Sequence, residues 1–193
     1  MKRIALFLSG TGGNALNLLR ACREGRVAGL PILGLASTPT AGGIARLEEE
    51  GLPTVAVVRK DFDSDAAFSE ACYQAAEVAG AEFICLCGWL KKLTVPTRWE
   101  GRILNIHPGL LPQYGGPGMY GMHVHRAVLA AGEAESGATV HLVDGEYDHG
   151  RILDQMRVPV HSGDTPESLQ KRVYAAEMEL FPRALAAYLA ERA

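Results

Sequence analysis

Leu104-Asn105-Ile106-His107-Pro108 is the stretch on which the reading of the chain turns. It follows a turn-like Glu100-Gly101-Arg102 and begins inside a short apolar run, Ile103-Leu104. Alternate side chains of a strand point to the same face. Asn105 and His107 therefore share one face, and Ile106 takes the other. Pro108 has no N–H to give, so it ends the ladder. A carboxamide and an imidazole then stand side by side at the carboxyl end of a strand, where open α/β sheets bind their ligands. The amide suits an oxyanion. The imidazole suits proton movement near neutral pH. The competing reading is a core strand whose polar residues only tie down the next loop.

The stretches before it supply the rest of such a sheet. Lys2 to Leu8 is an apolar run that reads as a buried strand and ends in a glycine-rich turn, Ser9-Gly10-Thr11-Gly12-Gly13-Asn14. Ala15 to Arg23 has helical spacing, with Leu16, Leu19 and Cys22 on one face. Gly29 to Ala36 is a second strand, residues 37–43 a loop, and a helix follows to Glu50. Gly51-Leu52-Pro53 breaks that helix, and Thr54 to Val58 is a third strand. Ser64 caps a helix to about Val78, and Glu82 to Cys87 is a fourth strand stopped by Gly88. The fifth strand carries Asn105 and His107. This alternation predicts a parallel sheet with helices on both faces.

Beyond Pro108 the pattern changes. Residues 108–122 form a loop rich in Gly and Pro, and loops of this length are usually functional or mobile. His123 to Ala131 is a short helix. Ala138 to Val143 and Ile152 to Val160 read as strands around a turn at residues 144–150. Gly163-Asp164-Thr165 opens a last helix to about Arg192, broken near Pro182. The fold expected is a single Rossmann-like three-layer α/β domain over residues 1–193. Its sheet is mostly parallel, with a C-terminal antiparallel extension.

Bulk properties bound the function. A chain of 193 residues with 48% hydrophobic and 21% charged residues has ordinary globular composition. A net charge of -3 without a long basic run speaks against a nucleic-acid surface. No run reaches the roughly 18 apolar residues of a membrane span. The start, Met1-Lys2-Arg3 and then Ile4 to Leu8, is too short for a signal peptide, and glycines follow at once. Cys22, Cys72, Cys85 and Cys87 form no CxxC pair, which predicts reduced, buried thiols and a cytoplasmic protein.

Three further stretches carry chemistry. In the first turn, glycines let the backbone approach a ligand, and the following helix offers free N–H groups and a positive dipole end. A phosphate is the natural guest. No Gly-Lys-Ser/Thr follows, so this is not a Walker loop. Gly10-x-Gly12 with Ala15 leaves a dinucleotide open, but no acidic residue ends the second strand to hold a ribose. A monophosphate suits the turn better, and a tight turn without a ligand is the plain alternative. Gly88-Trp89-Leu90-Lys91-Lys92-Leu93 follows the fourth strand. Its backbone suits the edge of a flat heterocycle, Leu90 and Leu93 give apolar walls, and Lys91 and Lys92 suit a carboxylate tail. An ordinary strand-to-helix turn would look the same. Asp144-Gly145-Glu146-Tyr147-Asp148-His149-Gly150 is an acidic loop without the spacing of a calcium site. A carboxylate from it beside His107 would orient the imidazole and raise its pKa. His123, His125 and His141 lack a third partner at ligand spacing and read as capping or core groups; no metal site is expected.

Taken in order, the pieces resemble the phosphoribosylglycinamide formyltransferases, within the folate-dependent formyltransferase superfamily. They are Ser9 to Asn14, Gly88 to Leu93, Leu104 to Pro108 with Leu110-Leu111-Pro112, Gly137-Ala138-Thr139-Val140-His141, and Asp148-His149-Gly150. The resemblance implies one catalytic domain over residues 1–193 that moves a formyl group from 10-formyltetrahydrofolate to the amine of glycinamide ribonucleotide. It implies Asn105 as oxyanion donor, His107 as proton relay, and Asp148 as the group that holds His107, with water between. Gly12, Gly13 and Asn14 would cradle the substrate phosphate, and Glu177 would take the ribose hydroxyls. Leu90, Lys91, Lys92, Leu93, Asn105, Asp144 and Glu146 would surround the folate. Small molecules are the expected partners, with no nucleic acid and no membrane, and the chain is expected as a monomer or homodimer.

The sequence departs from that family at several places. Gly13 stands where Ser is frequent, Tyr174 where a substrate-binding Gln is familiar, and Asp65 where some members place a folate-contacting Arg. Arg59, Lys60 or Lys92 is expected to compensate for the last. Arg151 replaces a common Pro. The loop Gly115 to Met122 is longer than in many members and is expected to act as a lid. These departures keep other acceptors open, an amino sugar nucleotide or methionyl-tRNA among them. A formyl-folate hydrolase is a further alternative, and a non-catalytic phosphate-binding module is the reading of another class. The hydrolases and the tRNA enzymes normally carry an extra domain.

Overall fold

The computed structural model describes residues 1–192; Ala193, the last residue of the expected domain, lies outside them. Seven strands form one sheet, ordered β3-β2-β1-β4-β5-β6-β7. These are β1 (Lys2–Leu8), β2 (Gly29–Ala36), β3 (Thr54–Ala56), β4 (Phe83–Leu86), β5 (Ile103–His107), β6 (Glu135–Leu142) and β7 (Ile152–Pro159). The first five are parallel; β6 runs antiparallel to β5, and β7 to β6. The helices are α1 (Gly13–Arg23), α2 (Gly43–Glu49), α3 (Asp65–Val78), α4 (Met122–Ala130) and α5 (Pro166–Ala190).

The apolar run of β1 is needed because both its faces are covered. Ile4, Leu6 and Leu8 enter one core with α1 and α5, while Ala5 and Phe7 enter the other with Phe68, Cys72 and Tyr73 of α3. On β5, Leu104 and Ile106 join the first core and Ile103 the second, which places Asn105 and His107 on the α3 side. The chain leaves β1 toward β2 and β3, then crosses back to place β4 on the other flank. The strand order therefore reverses between β1 and β4, the position where doubly wound sheets open a ligand crevice. The glycine turn after β1 and Gly88 to Leu93 after β4 both lie there.

Caps fix the helices as the sequence predicts, with small shifts. Ser64 Oγ accepts from Ala67 N at 3.1 Å at the start of α3. Thr165 and Ser168 form a reciprocal capping box, and Pro166 opens α5. Strand β3 stops at Ala56 rather than Val58, and β6 spans Glu135–Leu142 rather than residues 138–143.

One expectation fails at α5, which runs unbroken through Pro182. Proline cannot donate to the carbonyl four residues back, here Met178. Asn17 Nδ2 of α1 donates to that carbonyl at 2.7 Å. A neighbouring side chain replaces the missing helical bond and docks α1 on α5 at the same time.

Candidate active site

The glycine turn owes its shape to close packing. Gly12 has φ 71° and caps α1 without a side-chain hydrogen bond. A Cβ on Gly12 would lie 2.8 Å from the Gly43 Cα, so the turn sits directly on the start of α2. Gly43 N donates to Gly10 O at 3.0 Å, and Arg46 Nη1 of α2 donates to Thr11 O at 2.7 Å. The first N–H groups of α1 have no helical acceptor. Asn14, in the first turn of that helix, is buried and donates from Nδ2 to Glu177 Oε2 at 2.7 Å. Its Oδ1 has no partner among the described residues. Burial pushes the Glu177 carboxyl up to about 7, and the Asn14 hydrogen bond only partly opposes this.

At the carboxyl end of β5 three elements meet. His107 is 3% exposed. Its Nε2–H donates to the Tyr114 carbonyl at 2.6 Å, so in the neutral ring Nδ1 is the nitrogen free to take a proton. Asp148 Oδ2 lies 3.5 Å from that Nδ1. The two face each other at a separation longer than an ordinary hydrogen bond. Asp148 adopts φ 55°, a left-handed conformation that is uncommon for a residue with a side chain. Gly116 N holds its carboxylate by donating to Oδ2 at 3.0 Å.

The expectation that Asp148 raises the His107 pKa holds for that pair and fails for the sum. Burial lowers it more than Asp148 and the Tyr114 carbonyl raise it, so the ring stays below its ordinary value. For Asp148, burial pushes upward, but the neighbouring His141 and His107 rings and the Gly116 N–H together hold the carboxyl below its usual range.

His141, read from the sequence as a core group, belongs to this cluster. It is the antiparallel partner of Asn105 across β5 and β6. Its Nδ1–H donates to the Leu142 carbonyl at 2.8 Å, and its Nε2 lies 3.0 Å from Asn105 Nδ2 and 3.5 Å from Asp148 Oδ1. One Asn105 amide hydrogen is thereby directed at His141, and the second is left for a ligand. Only the β5–β6 register reveals this; an alternation count on one strand carries no trace of it. His125 of α4 has the core position that the sequence suggests. It is buried, and burial followed by the neighbouring His107 lowers its pKa to about 4, so the ring is neutral.

These groups share one cavity of about 450 Å³. Asn14 and Glu177 line one part, Asn105, His107 and Asp148 another, and Leu90, Lys91, Lys92, Leu93, Asp144 and Glu146 a third. Gly12 and Gly13 do not line it; Tyr174 does, with its hydroxyl against Gly13. The loop at Gly116 to Gly121 lines it as well. Of the three cations expected to replace the missing Arg at position 65, only Lys92 faces the cavity, 5.9 Å from the Tyr147 ring centre. Arg59 is committed to Asp65 at 2.6 Å and to the Phe62 carbonyl. Asp144 is likewise committed, accepting from Glu146 N at 2.9 Å and pairing with His149 at 3.0 Å.

Chemically, the arrangement offers an amide donor, a proton acceptor with a carboxylate beside the accepting nitrogen, and a polar end beside a helix start. Among the described residues, no group of three His, Cys, Asp or Glu side chains is placed to hold a metal. No described helix is long and apolar enough to cross a membrane.

Known proteins share this chain's sequence and fold. The Formyl transferase family matches residues 2–185. The trifunctional purine biosynthetic protein adenosine-3 of Drosophila pseudoobscura pseudoobscura is 40% identical over 189 residues, which cover 96% of this chain and 14% of that protein. The chloroplastic phosphoribosylglycinamide formyltransferase of Arabidopsis thaliana is 39% identical over 99% of this chain and 66% of its own length. The chain thus spans only part of these relatives. The crystal structure of glycinamide ribonucleotide transformylase 1 from Symbiobacterium toebii superposes with a TM-score of 0.93 at 34% identity, covering 100% of this chain and 89% of that one.

Proposed function

The chain belongs to the formyl transferase family, and on that premise we propose that it transfers a formyl group from 10-formyltetrahydrofolate to the primary amine of glycinamide ribonucleotide, in de novo purine biosynthesis. The observation that carries this reading is the meeting of Asn105, His107 and Asp148 in the cavity that also reaches Asn14 and Glu177. The folate takes the part lined by Leu90 to Leu93 and residues 144–148, where its flat ring meets backbone edges and its carboxylate tail meets Lys91 and Lys92. The ribonucleotide takes the other end, with Glu177 toward its hydroxyls and the start of α1 toward its phosphate. The free Asn105 amide hydrogen points to the formyl oxygen as it gains negative charge. As the amine nitrogen bonds to the formyl carbon, His107 Nδ1 takes the amine proton and Asp148 stabilises the imidazolium; the intermediate then collapses, the bond from that carbon to N10 of the folate breaks, and the proton passes to N10 as tetrahydrofolate leaves. Both ligands are substrates, and the chemistry calls on no metal.

The same reading treats residues 1–193 as one catalytic domain, a monomer or homodimer of the cytoplasm, consistent with four free, buried thiols. A spectrophotometric assay tests it. Loss of formyl-folate only when glycinamide ribonucleotide is present is the expected result. Loss without any amine identifies a hydrolase, loss only with an amino sugar nucleotide identifies another acceptor, and no turnover removes the enzyme reading.

A further inference from the structure

We propose that the Tyr174 hydroxyl stands in for a side chain at position 13 and, with Arg46, is the phosphate-binding donor of the glycine turn. The proposal rests on the reading above for which ribonucleotide is bound, but not for the phosphate itself. Tyr174 reaches across from α5, and its hydroxyl lies so close to Gly13 that a Cβ there would collide with it; the ring Cζ would stand 3.0 Å from that Cβ. The hydroxyl thus takes the place of a short polar side chain in the first turn of α1. It makes no hydrogen bond among the described residues, so a donor is left over. Burial, then the nearby Glu177 charge, raise the phenol pKa, with Arg46 opposing, so it keeps its proton at neutral pH.

Arg46 comes to the same place from α2. Its guanidinium is fixed by one bond to Thr11 O at 2.7 Å, and it has no carboxylate partner among the described residues. A phenol O–H and the free N–H groups of an α-helix start therefore meet at the turn, and the Arg46 guanidinium, outside the cavity itself, stands near enough to Tyr174 to act on its phenol. The second sign of a ligand is Asn14, 8% exposed and lining the cavity, whose Oδ1 has no donor among the described residues. A phosphate monoester on a sugar suits this set: its dianion meets the cation and the donors, and a sugar hydroxyl meets Asn14 and Glu177.

Titration calorimetry with ribose 5-phosphate, inorganic phosphate and ribose tests the assignment without folate or turnover. The unmodified chain binds ribose 5-phosphate and not ribose. Tyr174→Phe weakens the sugar phosphate about tenfold, as loss of one hydrogen bond to a charged group does. Arg46→Ala weakens it by a similar factor of roughly ten and flattens its salt dependence. Gly13→Ser also weakens it by displacing the tyrosine, and Gly13→Ser with Tyr174→Gln recovers most of the loss. Binding of a folate analogue to each variant checks that the cavity is intact. Should Tyr174→Phe bind ribose 5-phosphate within twofold of the unmodified chain, the hydroxyl is mere packing and the proposal is overturned. Equal binding of ribose and ribose 5-phosphate overturns it too. Tyr174-dependent phosphate binding without formyl transfer to glycinamide ribonucleotide leaves this assignment standing and removes the acceptor proposed above. Transfer with an unchanged KM in Tyr174→Phe does the reverse.

Discussion

His107 is held below its ordinary pKa by burial, although Asp148 lies 3.5 Å from Nδ1. The neutral ring is therefore available as a base through the neutral range, and protonation switches it off only at acid pH. Replacing His107 by Ala is expected to lower turnover by roughly 10²–10⁴ while sugar-phosphate affinity stays within a few-fold; an unchanged rate removes His107 from the chemistry. Asp148→Asn takes away the largest influence that raises the ring's pKa. The acid limb of the rate profile then moves to lower pH as the rate falls, and a limb that stays put means another group titrates. Glu177 has the opposite sign. Its folded pKa of about 7 exceeds its ordinary 4.5, so the folded chain binds the proton more tightly than the unfolded one. The associated stability is full below about 4.5 and is lost as pH rises through about 7. Glu177→Gln removes that dependence, by an amount on the order of 3 kcal/mol at most between pH 5 and 8. Denaturant titrations of both proteins at the two pH values check it, and parallel stability curves would contradict a buried, proton-holding carboxyl.

Among the elements, α5 is the one whose continuity needs help from outside. Asn17→Ala strands the Met178 carbonyl and is expected to cost about 1–2 kcal/mol in denaturant unfolding. In a Pro182→Ala background the helix regains its own donor, so the same Asn17→Ala change costs much less. Equal costs in both backgrounds would mean that Asn17 contributes packing alone. The loop at residues 115–122 is the other element with a role to test. It lines the cavity and grips Asp148 through Gly116 N. If it is a lid, hydrogen exchange in this loop slows when folate and ribonucleotide are bound together. Unchanged exchange would leave it a fixed wall.

For the whole molecule, one cavity joins the end beside α1 to the end beside Leu90–Leu93, so the two substrates are expected to bind side by side. Each ligand at 100 times its Kd stabilises the fold by about 2.7 kcal/mol, and both together give close to the sum. Stabilisation no greater than either alone would mean competition for one place. Much of this architecture was legible beforehand, because each piece rests on a short-range rule. The apolar run of β1, the alternation of Asn105 and His107, the glycine turn and the caps at Ser64 and Thr165 depend on residues within one or two turns of each other. Asp148 stood out locally, in an acidic loop between glycines, but Glu177 was reached through family resemblance, since no local pattern connects it to α1. His141 was misread because its partner is set by an antiparallel register, and the His107 pKa because burial outweighs a carboxylate that the sequence does show. The pairing of Gly13 with Tyr174 was invisible for the same reason as that of Asn14 with Glu177, whose positions lie 163 residues apart. The sequence by itself determined which strands and helices form, since dihedral preference and hydrophobic period are local. Only the tertiary structure decided which side chains share a cavity and how far burial shifts their charges, because distance and dielectric are properties of the packed chain.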